Sequence, residues 1–579
     1  MSTSNDNFYV HSDSDDSDDA GYFFERDMKE SDSDSNESDS SNGGASDDDL
    51  NDYFDTSVNV HEISLDEYAE IREAENYVGK VNSDKLKSLR EEVNWEVEEE
   101  REKFRRKLYS VVYDWEGILP KLQDIFSGKE MDWLLTEDLK NKKYRDSSNP
   151  IFSGVPITKF AIRAMYEDKP DGDENRATPV HHAARHKCYE FVRKLFKIYV
   201  RFDVNYSDES GFTHFHAACV SGCKSVVEKF LHFGQDPNCL VRVTGDSPLH
   251  LALSSGRREV VELLLWNGAN PNSTNEDGLT PLHIICKRKD DDDLAEIYFN
   301  VNEEIQQSVE IDALDKLGST PLLLALGREL KKVTAVLLER GANPNLAVEN
   351  KPSPLQCAVS NLLPDAVDML LDHGADLSSF VFPTESQFGE KFNSENDPYW
   401  NDCKIKLASR ALDVVERLER RGYSLDRSES LTIMTFLFRR GLIKNSMYLE
   451  KRWYDDKMPE EVAKKQIMGP GLYLYDLVRL RPEEAAKRFT HTDYFKFTDR
   501  IYYWMLPDKE IRRACVSYLC EITGRGFCRR WALEPLLELT RCQLPILCCE
   551  KIIENLTSED VLKVCLAAEI VETEQRQSV

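Results

Sequence analysis

The apolar positions of this chain fall into three blocks. Between residues 82 and 115, Leu86, Leu89, Val93, Val97, Phe104, Leu108, Val111 and Trp115 recur at steps of three, four or seven, which predicts one long amphipathic helix. Glu99/Lys103 and Glu102/Arg106 offer i,i+4 pairs on its polar side, and its apolar stripe is expected to pack within the same molecule. From about residue 402, after a loop-like stretch around 380–397, helices are predicted over Lys404–Arg421, Leu431–Arg440, Tyr475–Phe489, Lys509–Leu519 and Trp531–Leu539. The middle block does something else: it repeats.

Thr178-Pro179-Val180-His181, Thr213-His214-Phe215-His216, Ser247-Pro248-Leu249-His250, Thr280-Pro281-Leu282-His283, Thr320-Pro321-Leu322-Leu323 and Ser353-Pro354-Leu355-Gln356 align at steps of 35, 34, 33, 40 and 33 residues. A hydroxyl caps free helix N–H groups, and proline suits the first helical position because it has no N–H to lose. Each tetrad therefore opens a helix. A second apolar helix follows, as in Arg258–Leu265. Gly234, Gly268, Gly341 and Gly374 each fall 21 residues after their tetrad begins, where a left-handed helix end belongs, and Asn238, Asn272 and Asn345 stand four further on.

Helix, turn, helix and hairpin at a period of 33 resemble an ankyrin array, with six units recognisable over about 175–380. The departures are local. Tyr199 stands where the first unit's glycine is expected, with two extra residues before Asn205. The fourth unit is seven residues too long, around Asp290–Asp293, and Ser378 replaces the last asparagine. Residues 151–166 are expected to form a degenerate capping unit. The resemblance implies a protein-recognition platform, with target contacts expected at the varied hairpin tips: Asp208, Glu209, Arg242, Asn275, Glu276, Lys316, Glu349 and Asn350.

Charge sharpens the picture. The net charge is −31, yet residues 1–60 alone hold 18 acidic and 2 basic side chains, about half of it. That Ser/Asp-rich stretch is too poor in apolar residues to fold and is expected to be a disordered acidic tail. Ser12, Ser31 and Ser46 each have an aspartate three residues on and are candidate phosphorylation sites. The acidic balance argues against a protein built to coat nucleic acid or anionic lipid. The acidic N-terminus does not resemble a signal peptide, and no run of ~18 apolar residues suggests a spanning helix. A soluble, intracellular protein of cytoplasm or nucleus is expected, with its cysteines reduced.

Candidate chemistry is sparse. His181, His216, His250 and His283, at the fourth tetrad position, are expected to hydrogen-bond neighbouring loops as in ankyrin repeats. His182 and His186 have i,i+4 spacing but no third ligand in view. Cys515, Cys520, Cys528, Cys542, Cys548, Cys549 and Cys565 contain no CxxC pair and are expected to be buried small hydrophobes. Gly469-Pro470-Gly471 reads as a turn, with no GK[ST] after it. No catalytic set, metal or cofactor is expected.

The last informative segment is 544–561. Pro545 opens a helix with Cys548, Ile552, Ile553 and Leu556 along one side, and Thr557-Ser558-Glu559-Asp560 has the capping-box pattern of a new helix continued by Leu562 and Cys565. Leu544, Pro545, Ile552, Ile553, Leu556, Asp560 and Val561 resemble an F-box, although Leu547 and Cys548 replace its usual acidic and aliphatic residues. A truncated F-box behind such repeats resembles the PRANC domain, known from ankyrin proteins of poxviruses, Wolbachia and parasitoid wasps.

The expected architecture is mainly α. It comprises an acidic tail (1–60), a helical region (61–150), the array (151–380), a linker (381–401), a helical segment (402–472), an all-helical PRANC/F-box-like domain (473–570) and a tail (571–579). The resemblance implies a non-catalytic adaptor. Its array would hold a target protein, and its F-box-like end would dock the Skp-family subunit of a cullin–RING ubiquitin ligase. The alternative is a ligase-independent scaffold or inhibitor that sequesters a signalling protein.

Overall fold

The apolar stripe between residues 82 and 115 belongs to two helices rather than one. The computed structural model describes residues 65–141, 156–169, 175–346, 348–392, 400–443, 460–469, 472–480, 482–498 and 509–577. The chain divides into two compact units, Met1–Arg72 and Glu73–Val579, and in the first only the opening of α1 is described. Helix α1 (Leu65–Glu91) ends before Asn94, whose side chain accepts from the Glu96 amide (3.1 Å) and whose own amide donates to Glu100 (2.8 Å). Such Asx hydrogen bonds offer the backbone an alternative to the helix. The turn carries Trp95 between Phe104, Phe126 and Trp133, with α2 (Glu98–Tyr113) running on from it. Glu102 pairs with Arg105 rather than the expected Arg106, and among the described residues no ion pair joins Glu99 to Lys103.

Helix α3 (Gly128–Asn141) packs on the first helix of the first repeat, and α4 (Pro156–Arg163) packs on the second, so this pair prolongs the repeat stack. Helix α4 falls inside the expected capping unit at 151–166, and α3 extends the stack ahead of it. Buried Asp138 on α3 accepts from the Thr158 amide (2.9 Å) and hydroxyl (2.8 Å), capping α4 from a distance, and burial pushes its carboxyl up to about 6.

Six helix pairs follow: α5/α6 (Pro179–Arg185, Tyr189–Leu195), α7/α8 (His214–Ser221, Lys224–His232), α9/α10 (Pro248–Ser254, Arg258–Trp266), α11/α12 (Pro281–Cys286, Leu294–Glu304), α13/α14 (Pro321–Gly327, Lys331–Glu339) and α15/α16 (Pro354–Ser360, Pro364–Asp372). The tetrad hydroxyls of Thr213, Ser247, Thr280, Thr320 and Ser353 accept from the amide three residues on, at 3.1–3.4 Å. First helices stack on first helices and second on second, burying a continuous aliphatic core. Gly234, Gly268, Gly341 and Gly374 have φ of +88°, +87°, +94° and +89° in the left-handed region, where a Cβ would be strained. Tyr199 does not take that conformation. It is buried, and its hydroxyl bonds Asp132.

The long fourth unit shows what its insertion does. Asp291 accepts from the backbone amides of Lys332 (2.8 Å) and Val333 (3.0 Å), capping the second helix of the next unit. Asp292 and Asp293 hold Arg288 and Arg258. Asp291→Ala is expected to destabilise the fifth unit by about 1 kcal/mol, seen as faster amide exchange over 331–339 with the first three units unchanged.

Beyond the array lie α17 (Trp400–Arg420), α18 (Arg427–Arg439), α19 (Glu460–Lys465), an antiparallel pair β1 (Ile467–Gly469) and β2 (Leu472–Tyr473), and α20 (Leu474–Leu477). They are followed by α21 (Pro482–Arg488), α22 (His491–Thr498), α23 (Lys509–Arg530), α24 (Leu533–Leu539), α25 (Ile546–Asn555) and α26 (Ser558–Gln577). The helix expected over 475–489 is split in two. The expected border at 472/473 falls inside β2, and α17 packs on α22 and α23, so the two segments share one core. Residues 571–577 continue α26 instead of forming a tail. The expected linker is partly core: Phe382 stacks on Phe388, and the Gly389 amide bonds Ser360 of the last repeat (2.8 Å). A Cβ on Gly389 (φ +66°) would meet the Phe436 ring at 2.3 Å. Arg417 bonds Asp413 and Asp368, while Arg421 bonds Asp372 (2.7 Å), fastening α17 to α16.

Candidate binding surfaces

Two side-chain ladders hold the repeats in register. The Nδ1 atoms of His181, His216, His250 and His283 accept from the backbone N–H of their own Thr178, Thr213, Ser247 and Thr280 at 3.0–3.3 Å. Nε2 then donates to the carbonyls of Tyr206, Cys239, Leu279 and Ser319 in the next loop, at 2.9–3.2 Å. A carbonyl only accepts, so each ring is the neutral Nε2–H form. Burial pushes His181 and His216 down to about 4 and lowers His250 and His283. His214, in the proline position of its tetrad, is fully buried and reaches back to Thr178 (2.6 Å). The second ladder is asparagine: Asn238, Asn272 and Asn345 donate to Gly268, Ser308 and Gly374 carbonyls and accept from Asn270, Glu310 and Asp376 amides.

On this frame the tips stack through backbone bonds, with the amides of Val243, Glu276 and Lys316 donating to Ser210, Thr244 and Asp277. The expected tip residues divide. Glu209, Arg242, Glu276, Lys316, Glu349 and Asn350 are exposed, and Lys316 lies 3.9 Å from Glu276. Asp208 is not exposed: its carboxylate accepts from the Ser210 and Phe212 amides and from Arg185. Asn275 and Asp315 fold their turns the same way, so this position builds the tip instead of presenting it. Charge-based reading also missed the exposed aliphatics Val243 and Leu317 (76% exposed), and half-exposed Leu251, Ile284 and Leu324 on successive first helices. The signal for Leu251, Ile284 and Leu324 was an apolar residue at the same offset in three consecutive units, whereas Val243 and Leu317 have no apolar equivalent in the neighbouring units. The result is an aliphatic strip fringed by charges of both signs.

At the other end, helix α23 fastens two short helices. Arg525 and Arg529 donate to the Glu554 carbonyl at the end of α25, while buried Glu521 accepts from the Ser558 amide (3.0 Å) and hydroxyl (2.8 Å) at the start of α26. Thr557 and Asp560 form the expected reciprocal cap (2.6 and 3.2 Å). Helix α25 packs chiefly on α24 and buries Cys549 and Ile553, while Cys548 and Ile552 of the expected apolar side are exposed. Val561 is buried and Leu556 half-buried, whereas Leu544, Pro545, Ile546, Leu547 (75%) and Ile552 face outward.

The cysteines with described side chains are free thiols. Cys542 and Cys548 are exposed, contrary to expectation, and Cys515, Cys520, Cys528, Cys549 and Cys565 are buried. Among the described residues no group of three or more His, Cys, Asp and Glu could hold a metal ion, and no helix is long and apolar enough to cross a membrane. The acidic tail with Ser12, Ser31 and Ser46, and Pro470 and Gly471 of the expected turn, lie outside the described residues.

A family model for ankyrin repeats in three copies matches at residues 153–241, 215–308, 249–348 and 282–380. Among solved structures, the ankyrin repeat domain of Bcl-3, of the IkappaB protein family, is 24% identical, with 37% of this chain and 89% of that one covered and a TM-score of 0.29. The human ASB11 ankyrin repeat domain is 22% identical, with 42% and 98% covered and a TM-score of 0.31. No curated protein matches the chain.

Proposed function

Starting from ankyrin repeats over residues 153–380, a protein–protein interaction scaffold, we propose that this chain is a substrate-recognition adaptor for ubiquitin transfer. The array holds a target protein along the strip of Val243, Leu251, Ile284, Leu317 and Leu324. The F-box-like pair α25/α26, in a PRANC-like end, docks the Skp-family subunit of a cullin–RING ligase, whose other subunits perform the chemistry.

One observation carries the docking half. A helix that only closed a core would turn its large apolar residues inward, yet α25 and its approach leave Leu544, Pro545, Ile546, Leu547 and Ile552 outside. The helix is held in that pose by Arg525 and Arg529, with Glu521 fixing its neighbour. Leu547→Asp with Ile552→Asp replaces only exposed side chains, so the fold should persist while co-purification of the Skp-family subunit falls at least tenfold. Target abundance should rise in the same cells. Unchanged co-purification sinks the docking role; target binding without any change in abundance supports the sequestering scaffold instead.

A further inference from the structure

The last two repeats and the C-terminal helices border a partly open cavity of about 380 Å³, within the roughly 300–1,000 Å³ range of small-molecule sites. Its walls are largely apolar, from Leu330, Leu363, Pro364 and Met369 of the array and Phe495 of α22. Its charges nearly cancel. Glu329 pairs with Arg410, Asp365 with Lys331, and Asp413 with Arg417 and the Thr492 hydroxyl. Lys496 also lines the cavity and has no ionic partner among the described residues.

Two further features point to a ligand. Ser409 is fully buried in the cavity wall, and its hydroxyl has no hydrogen-bond partner among the described residues. Such a group costs free energy unless something in the cavity satisfies it. Helix α16 begins at the cavity with Pro364 and no side-chain cap, so its free N-terminal amides and the positive end of its dipole border the space. An apolar chamber with one surplus cation, an uncapped helix start and an orphaned hydroxyl suits one kind of molecule.

We propose that this junction binds a small organic monoanion. Its apolar body lies against Leu330, Met369 and Phe495, its acidic head lies at Lys496 and the start of α16, and a polar atom meets Ser409. Because the site is built from both the array and the C-terminal helices, the ligand ties the two together.

The probe is anilinonaphthalene sulfonate, an apolar monoanion, titrated into the full chain by fluorescence. Saturable binding is expected, displaced by octanoate but not by octyltrimethylammonium, which has the same tail and the opposite charge. Lys496→Glu should weaken binding about tenfold, a difference of about 1.4 kcal/mol. Ala366→Leu should fill the cavity and abolish it, and if that variant does not fold, Lys496→Glu alone decides. Equal displacement by both ions, or wild-type binding by Lys496→Glu, overturns the proposal. So does loss of the signal in Leu547→Asp, which would assign the dye to the exposed face of α25.

Discussion

Acidification from pH 7 to pH 5 is expected to destabilise the repeat array while changing no covalent bond. His181, His216, His250 and His283 are neutral in the fold, their Nδ1 atoms facing backbone N–H groups and their Nε2–H groups facing carbonyls. A proton added at Nδ1 would point at an N–H and break the link to the tetrad. The folded pKa values lie below the ordinary 6.5, so the stability these rings contribute is fully present above 6.5. It is lost as pH falls from there through about 4. For His181 and His216 the loss at pH 5 is roughly 2 kcal/mol each, with His250 and His283 adding in the same direction. Asp138, raised to about 6, works oppositely, since protonation relieves its burial, and offsets part of the effect. Urea midpoints at pH 7, 6 and 5 should therefore fall steadily, and His216→Gln with His250→Gln should flatten the slope. A midpoint independent of pH over this window would refute the account.

Arg176→Ala is expected to cost about 3–5 kcal/mol, the range for stranding a buried charge. The Arg176 guanidinium lies between Asp168 (2.8 Å) and Asp132 (3.6 Å) and over the Tyr206 ring, and all three charged side chains are mostly buried. Tyr199 and Tyr206 donate to the same two carboxylates. The cluster joins α3, the loop before the first repeat and the first hairpin, so it locks the N-terminal cap to the array. Removing the arginine leaves two carboxylates without their counter-charge in a site too dry to hold them ionised. Amide exchange over 156–206 should rise far more than over 331–372, and urea unfolding should become biphasic. A loss below about 1 kcal/mol, the level of an exposed pair, would mean the cluster is hydrated.

The array was legible because its signals are local. A hydroxyl caps an amide three residues away, proline fits only a helix's first turn, glycine alone takes φ near +90° cheaply, and Asn238, Asn272 and Asn345 bond a neighbour at fixed pitch. None of these depends on a distant part of the chain. The candidate sites were less legible. Asp208 and Asn275 look like charged or polar tips in sequence, but their oxygens are spent inside the turn. The row of Leu251, Ile284 and Leu324 appears only when equivalent offsets are compared across units.

By itself, then, the sequence determined the repeat, its helix starts and ends, its histidine and asparagine ladders and the cap at Thr557–Asp560. Each is set within one unit or between identical neighbours. The tertiary structure alone decided the break at Asn94, the use of Asp291 as a cap in the next repeat, and which side of α25 is buried. Cys548/Ile552 and Cys549/Ile553 are both i,i+4 apolar pairs, one helical position apart, and only the placement of α24 chooses the second. The cavity at Ser409 likewise exists only because four helices distant in sequence meet there. Short-range hydrogen-bond geometry can be read from neighbouring letters, whereas burial depends on what the rest of the chain brings to each face.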